Sequence, residues 1–128
     1  MTRILIVEDD PHVAALVTGL LEFEGYEVVT AVDGLEGLFK VRNADVDAVV
    51  LDVMMPDIDG TRVLQQLLEE HDGSLPVPIL VMTGSTLGAR RCRELLGVRA
   101  VIDKPFDPEV LVERVREMLA AATDGPTS

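Results

Sequence analysis

The sequence predicts a doubly wound α/β domain: one five-stranded parallel sheet with five helices. Two observations carry that prediction. Short aliphatic runs such as Ile4-Leu5-Ile6-Val7 and Val49-Val50-Leu51 alternate with longer segments whose apolar residues fall at helical spacing. The runs are also continuous rather than alternating apolar and polar, which is the pattern of strands covered on both faces. Right-handed crossovers then distribute the helices over both sides of the sheet.

Arg3 to Val7 is the first strand, and it ends at Glu8-Asp9-Asp10 followed by Pro11. Asp10 before a proline reads as a helix cap with proline in the first turn. Val13, Leu16, Val17, Leu20 and Leu21 repeat at helical spacing, and Gly25 stops that helix. Tyr26 to Ala31 is a second strand, half polar and therefore near an edge. Asp33-Gly34 turns into a helix from Leu35 to Arg42, and Asp47 to Leu51 is the third strand. It delivers Asp52 to a loop broken by Pro56 and Gly60. Val63, Leu64, Leu67 and Leu68 mark the next helix, which ends near His71-Asp72-Gly73. Pro78 to Met82 is the fourth strand, followed by the small polar run Thr83-Gly84-Ser85-Thr86. A helix carrying Arg90, Arg91 and Arg93 closes at Gly97, and Ala100 to Ile102 is a brief fifth strand. It meets Asp103-Lys104-Pro105-Phe106. Asp107-Pro108 repeats the cap-plus-proline start of a last helix lined by Val110, Leu111, Val115, Met118 and Leu119. Residues 1–121 form the expected domain, and 122–128, with Gly125-Pro126, a flexible tail or the start of a linker.

Composition narrows the chemistry. Aromatic residues are 3% of the chain, so the core must be aliphatic. No apolar run approaches the ~20 residues of a membrane helix, and one cysteine, Cys92, fits a reducing compartment. Both point to the cytoplasm. A net charge of −12 argues against direct nucleic-acid binding, which needs a basic patch.

Parallel strands end at one edge of their sheet, the edge where open α/β sheets bind ligands. That edge receives Glu8 and Asp9 from strand one, Asp52 from strand three, Thr83 from strand four and Lys104 from strand five. Three carboxylates in one place repel unless a cation joins them. Oxygen ligands with open positions suit Mg²⁺. A metal together with Lys104 and Thr83 would cradle a phosphoryl group beside Asp52, the candidate nucleophile.

The chain resembles the receiver domains of bacterial two-component response regulators. The fragments ILIVEDDP, GYEVVTAVDG, VVLDVMMPDIDG, VMTG and DKPF carry the resemblance, in this order and over residues 2 to 120. It implies a flavodoxin-like strand order of 2-1-3-4-5. It also implies Asp52 as phospho-acceptor, Asp9 as a direct Mg²⁺ ligand, Glu8 acting on the metal through water, and Met54 donating its backbone carbonyl. Thr83 would bond the phosphoryl oxygen and Lys104 would pair with it. Lys104-Pro105 would be a cis peptide. The implied partner is a histidine kinase or a histidine phosphotransfer protein, with a homodimer or an output domain as further options. The reading is a signalling domain, not an enzyme with a metabolic substrate, although it takes part in its own phosphorylation and self-dephosphorylation.

Two metal pairs are available, Glu8/Asp9 and Asp9/Asp10; the position directly after the aliphatic run favours Glu8/Asp9. One departure stands out. Three residues before the motif lysine the family commonly has Tyr or Phe, and here Val101 stands there, which cannot swing a ring between buried and exposed positions. A phosphorylation-independent adaptor is the alternative within the fold. An aspartyl-phosphate phosphohydrolase would need an acid where Met54 stands, and a flavin-binding loop would not tolerate Glu8-Asp9-Asp10. His12, His71, the acids of Asp57-Ile58-Asp59-Gly60 and the sulfurs of Met54 and Met55 read as structural or surface features.

Overall fold

The computed structural model describes residues 1–43, 45–53, 60–97 and 100–123. Strands β1 (Arg3–Val7), β2 (Glu27–Ala31), β3 (Ala48–Asp52), β4 (Ile79–Thr83) and β5 (Val101–Asp103) alternate with five helices. The helices are α1 (Pro11–Phe23), α2 (Gly34–Asn43), α3 (Gly60–Glu70), α4 (Thr86–Leu96) and α5 (Pro108–Thr123). All four strand pairings are parallel, and the order across the sheet is β2-β1-β3-β4-β5.

Successive side chains on a strand point to opposite faces, so each aliphatic run supplies two cores. Leu5, Val7, Val49, Leu51 and Val81 pack against Leu38 of α2, Leu64 and Leu67 of α3 and Cys92 of α4. Ile4, Ile6, Val50, Leu80 and Met82 pack on the other side against Val17 and Leu21 of α1 and Leu111 and Val115 of α5. The inner positions of β1, β3 and β4 are therefore aliphatic on both faces, each buried Leu, Ile or Val contributing roughly 1.5–3 kcal/mol. β2 lies at the edge and is only half-buried, with Thr30 exposed, as its mixed composition implies.

The helix ends follow from local chemistry. Asp10 accepts from the His12 amide at 2.9 Å and caps α1, with Pro11 in the first turn. After α1 the chain turns through Gly25 at φ 93°, a conformation that L side chains rarely adopt. Ser85 caps α4 by accepting from the Gly88 amide at 3.0 Å. α5 continues through Thr123, and the run Ala120-Ala121-Ala122 favours helix there. No described helix is long and apolar enough to cross a membrane.

Candidate functional site

The parallel sheet brings every carboxyl end to one edge, and the polar residues of the sequence motifs collect there. Glu8 follows β1 directly and is held by its own amide, which donates to the Ala31 carbonyl of β2 at 3.0 Å. Asp52 is the last residue of β3 and Thr83 the last of β4. Lys104 follows β5, and its amide donates to the Thr83 carbonyl at 2.8 Å, which ties the two loops together. The Lys104–Pro105 peptide is cis, as the motif implied.

Glu8, Asp52 and Thr83 are almost wholly buried, at 2%, 2% and 0% exposure. Burying two carboxylates side by side is costly unless something compensates. Lys104 supplies part of the compensation: its Nζ lies 2.8 Å from Glu8 Oε1 and 3.2 Å from Asp52 Oδ2. The Asp10 amide donates to Glu8 Oε2 at 3.1 Å. Burial still pushes the Glu8 carboxyl above its ordinary range, and its hydrogen bond with Asp52 adds to that; Lys104 and the Asp10 amide offset only part. Burial pulls Lys104 the other way, toward the neutral amine. Its bond to Glu8 and the charges of Asp52 and Glu8 outweigh that, so the ammonium is held above the usual lysine range. Two buried carboxylates thus face a single ammonium.

Asp9 is exposed beside these two, and one oxygen from each of Glu8, Asp9 and Asp52 lies within 4.8 Å of the others. Two buried acids with a third open to solvent form an oxygen-only donor set that suits a hard divalent cation. Asp10 is turned away as the cap of α1. Thr83 Oγ1 accepts from the Ser85 amide at 3.0 Å, so its hydroxyl is coupled to the residue that caps α4. Met54, the remaining expected donor, lies outside the described residues.

Two contacts were not legible from the motifs. Lys104, expected to pair with a phosphoryl group, bridges Asp52 and Glu8. Gly60, read from the sequence as part of a turn, begins α3 against the backbone at the end of β3. Its amide donates to the Val53 carbonyl at 3.1 Å. A glycine at the first position of a helix was the available signal. The other singled-out residues are structural: Cys92 is buried on α4, and His12 and His71 are exposed.

A doubly wound domain with clustered acids and a lysine at its carboxyl edge defines a class of small α/β domains built to meet a cation and an anion there. Within that class, the chain belongs to the response regulator receiver domain family, which matches residues 4–116. It is a signalling domain with a CheY-like fold. Response regulator MprA of Mycobacterium sp. (strain KMS) is 41% identical to it over 129 residues, covering 98% of this chain and 55% of that protein. The DNA-binding dual master transcriptional regulator RpaA of Synechocystis is 38% identical over 120 residues, covering 93% of this chain and 49% of RpaA. The chain thus spans about half the length of these curated relatives. Among solved structures, a CheY-like receiver domain protein from Methanospirillum hungatei superposes with a TM-score of 0.84 at 33% identity, covering 98% of this chain and 99% of that one. The response regulator TrrA from Thermotoga maritima, solved in complex with Mg²⁺ and BeF, superposes with a TM-score of 0.76 at 31% identity, covering 92% and 99%.

Proposed function

We propose that Asp52 is the phospho-acceptor of a two-component phosphorelay. The observation that carries this reading is the placement of Asp52: buried at the end of β3, 3.2 Å from the Lys104 ammonium and beside Glu8 and Asp9. A carboxylate oxygen of Asp52 forms the new O–P bond as the P–N bond to a partner's phosphohistidine breaks. The electron pair of that bond leaves with the imidazole nitrogen. Lys104 neutralises charge on the phosphoryl oxygens, and the Thr83 hydroxyl donates to one of them. Glu8, Asp9 and Asp52, with the carbonyl of Met54, would hold Mg²⁺, Glu8 acting through water. Bound there, the metal supplies neutralisation of the phosphoryl charge.

The partner is a histidine kinase or histidine phosphotransfer protein, in the cytoplasm where Cys92 stays reduced. A homodimer interface or an output domain carries the signal onward. Slow attack of water on the acyl phosphate is the accompanying self-dephosphorylation. The adaptor alternative uses the same face without phosphorylation, and gives no reason for a lysine held against a buried acid at this edge. Intact-mass spectrometry after treatment with a small phosphodonor and Mg²⁺ should find one added phosphate, located at Asp52. Undiminished labelling of Asp52→Asn would overturn the assignment, and no labelling of the wild-type chain would favour the adaptor.

A further inference from the structure

We infer that Gly60 is a positioning residue for phosphoryl transfer: its missing side chain lets α3 seat directly on the Asp52–Val53 peptide and thereby holds the acceptor carboxylate at Lys104. The inference rests on the reading of Asp52 as acceptor.

The geometry leaves no room for any other residue. A Cβ at Gly60 would stand 2.6 Å from Val53 Cα, 2.8 Å from the Asp52 carbonyl oxygen and 2.8 Å from Val53 Cγ1. Two of these neighbours are backbone atoms, which cannot rotate aside as a side chain can. Gly37 offers the contrast, since the three nearest atoms to a Cβ there all belong to the Val7 side chain, its two methyls at 3.0 Å. No positive φ is involved at Gly60; the requirement is purely one of approach.

Neither partner in this contact can retreat cheaply. The Val53 amide donates to the Met82 carbonyl at 3.2 Å, so the 52–53 peptide is held from the β4 side. β4 is itself an interior strand, buried at every position. α3 is anchored by Val63, Leu64 and Leu67, at 2%, 0% and 0% exposure. Added bulk at position 60 must therefore move the peptide that carries Asp52. Lys104 does not follow, because its amide is bonded to Thr83 and its Nζ to Glu8. The 3.2 Å contact between Lys104 and Asp52 is what changes. A misplacement of about 1 Å costs on the order of 100-fold in a reaction that depends on alignment.

The test compares wild type, Gly60→Ala, Gly37→Ala, Val53→Ala and the double variant Val53→Ala/Gly60→Ala. Each is phosphorylated with acetyl phosphate and Mg²⁺, and the maximal rate constant is separated from the half-saturating donor concentration. Gly60→Ala should lower the maximal rate constant by about tenfold to 100-fold with little change in half-saturation, while unfolding stays cooperative. Gly37→Ala, a steric insertion of the same size, should stay within about twofold at the same ionic conditions. Val53→Ala removes the Cγ1 contact but neither backbone contact, so it should not restore the rate in the double variant. A folded Gly60→Ala chain at the wild-type rate overturns the inference, as does full rescue by Val53→Ala. If Gly60→Ala does not fold, the double variant is compared with Val53→Ala alone, and equal rates overturn it. A wild-type chain that takes no phosphate at Asp52 overturns the acceptor reading itself, which is a different result from a labelled wild type matched by Gly60→Ala.

Discussion

Three acids stand in a row at positions 8–10, and the fold gives each a different environment. Glu8 is buried and bonded to Lys104, Asp9 is exposed beside Asp52, and Asp10 caps α1. Sequence order alone left two metal pairs open. The strand ends at Val7 and the helix begins at Pro11, so the last acid serves as the cap, which supports the proposed Glu8/Asp9 pair. The His12 amide, and secondarily that of Val13, holds the Asp10 carboxyl below its ordinary range. A group shifted down stabilises the fold above its unfolded value, near 3.8, and that contribution is lost as pH falls through the folded value. Asp10→Ala should therefore lower the melting temperature at pH 7, with the deficit closing as the pH is taken well below 3.8. Asp10→Asn, which keeps the accepting oxygen, should lose less. Asp10→Ala should leave phosphorylation intact, whereas Asp9→Ala should slow it by at least about tenfold, since removing even an outer-sphere partner of a metal site costs 10–100-fold. Normal labelling of Asp9→Ala with failure of Asp10→Ala would reverse the assignment of the pair.

At the scale of elements, the hydrophobic pattern located every strand but ended three of them one residue early. β3, β4 and β5 close on Asp52, Thr83 and Asp103 rather than on Leu51, Met82 and Ile102. The ladder explains this: Asp52 pairs in register with Met82 and Thr83 with Asp103. Polar residues thus occupy the last rungs, and an apolar run cannot announce them. Backbone pairing, not burial preference, carries them into the strand. Under the proposed phosphorylation of Asp52, the same placement predicts α4 as the element that responds. Thr83 Oγ1 is bonded to Ser85, and Ser85 caps α4, so drawing the hydroxyl toward a phosphoryl oxygen disturbs the first turn of that helix. Val101 is buried, at 2% exposure, and stiff about χ1. Arg93 meanwhile ties the far half of α4 to Asp103 at 2.7 Å. Beryllofluoride with Mg²⁺ should therefore shift amide resonances in residues 83–93 most strongly near Ser85, fading toward Arg93, and more than those of Val101. Dominant changes at the Val101 amide and methyls would show a different route.

For the whole molecule the balance of charge is the deciding quantity. The chain carries −12, and at the sheet's carboxyl edge two buried acids face one lysine with a third acid beside them. Added salt screens the diffuse surface repulsion in any variant alike. A cation held by Glu8, Asp9 and Asp52 acts differently, because it stabilises only the folded chain that assembles all three. Binding of that kind adds about 2.7 kcal/mol at a ligand concentration 100 times the dissociation constant. The two contributions separate if Mg²⁺ replaces Na⁺ at fixed ionic strength. Wild type should then melt several degrees higher as Mg²⁺ rises, while Asp9→Ala should gain little. In the absence of Mg²⁺ the order should level or invert, since Asp9→Ala removes one of the repelling carboxylates. Equal Mg²⁺ gains in both chains would mean that the metal acts by screening, and that the three acids do not form a binding site.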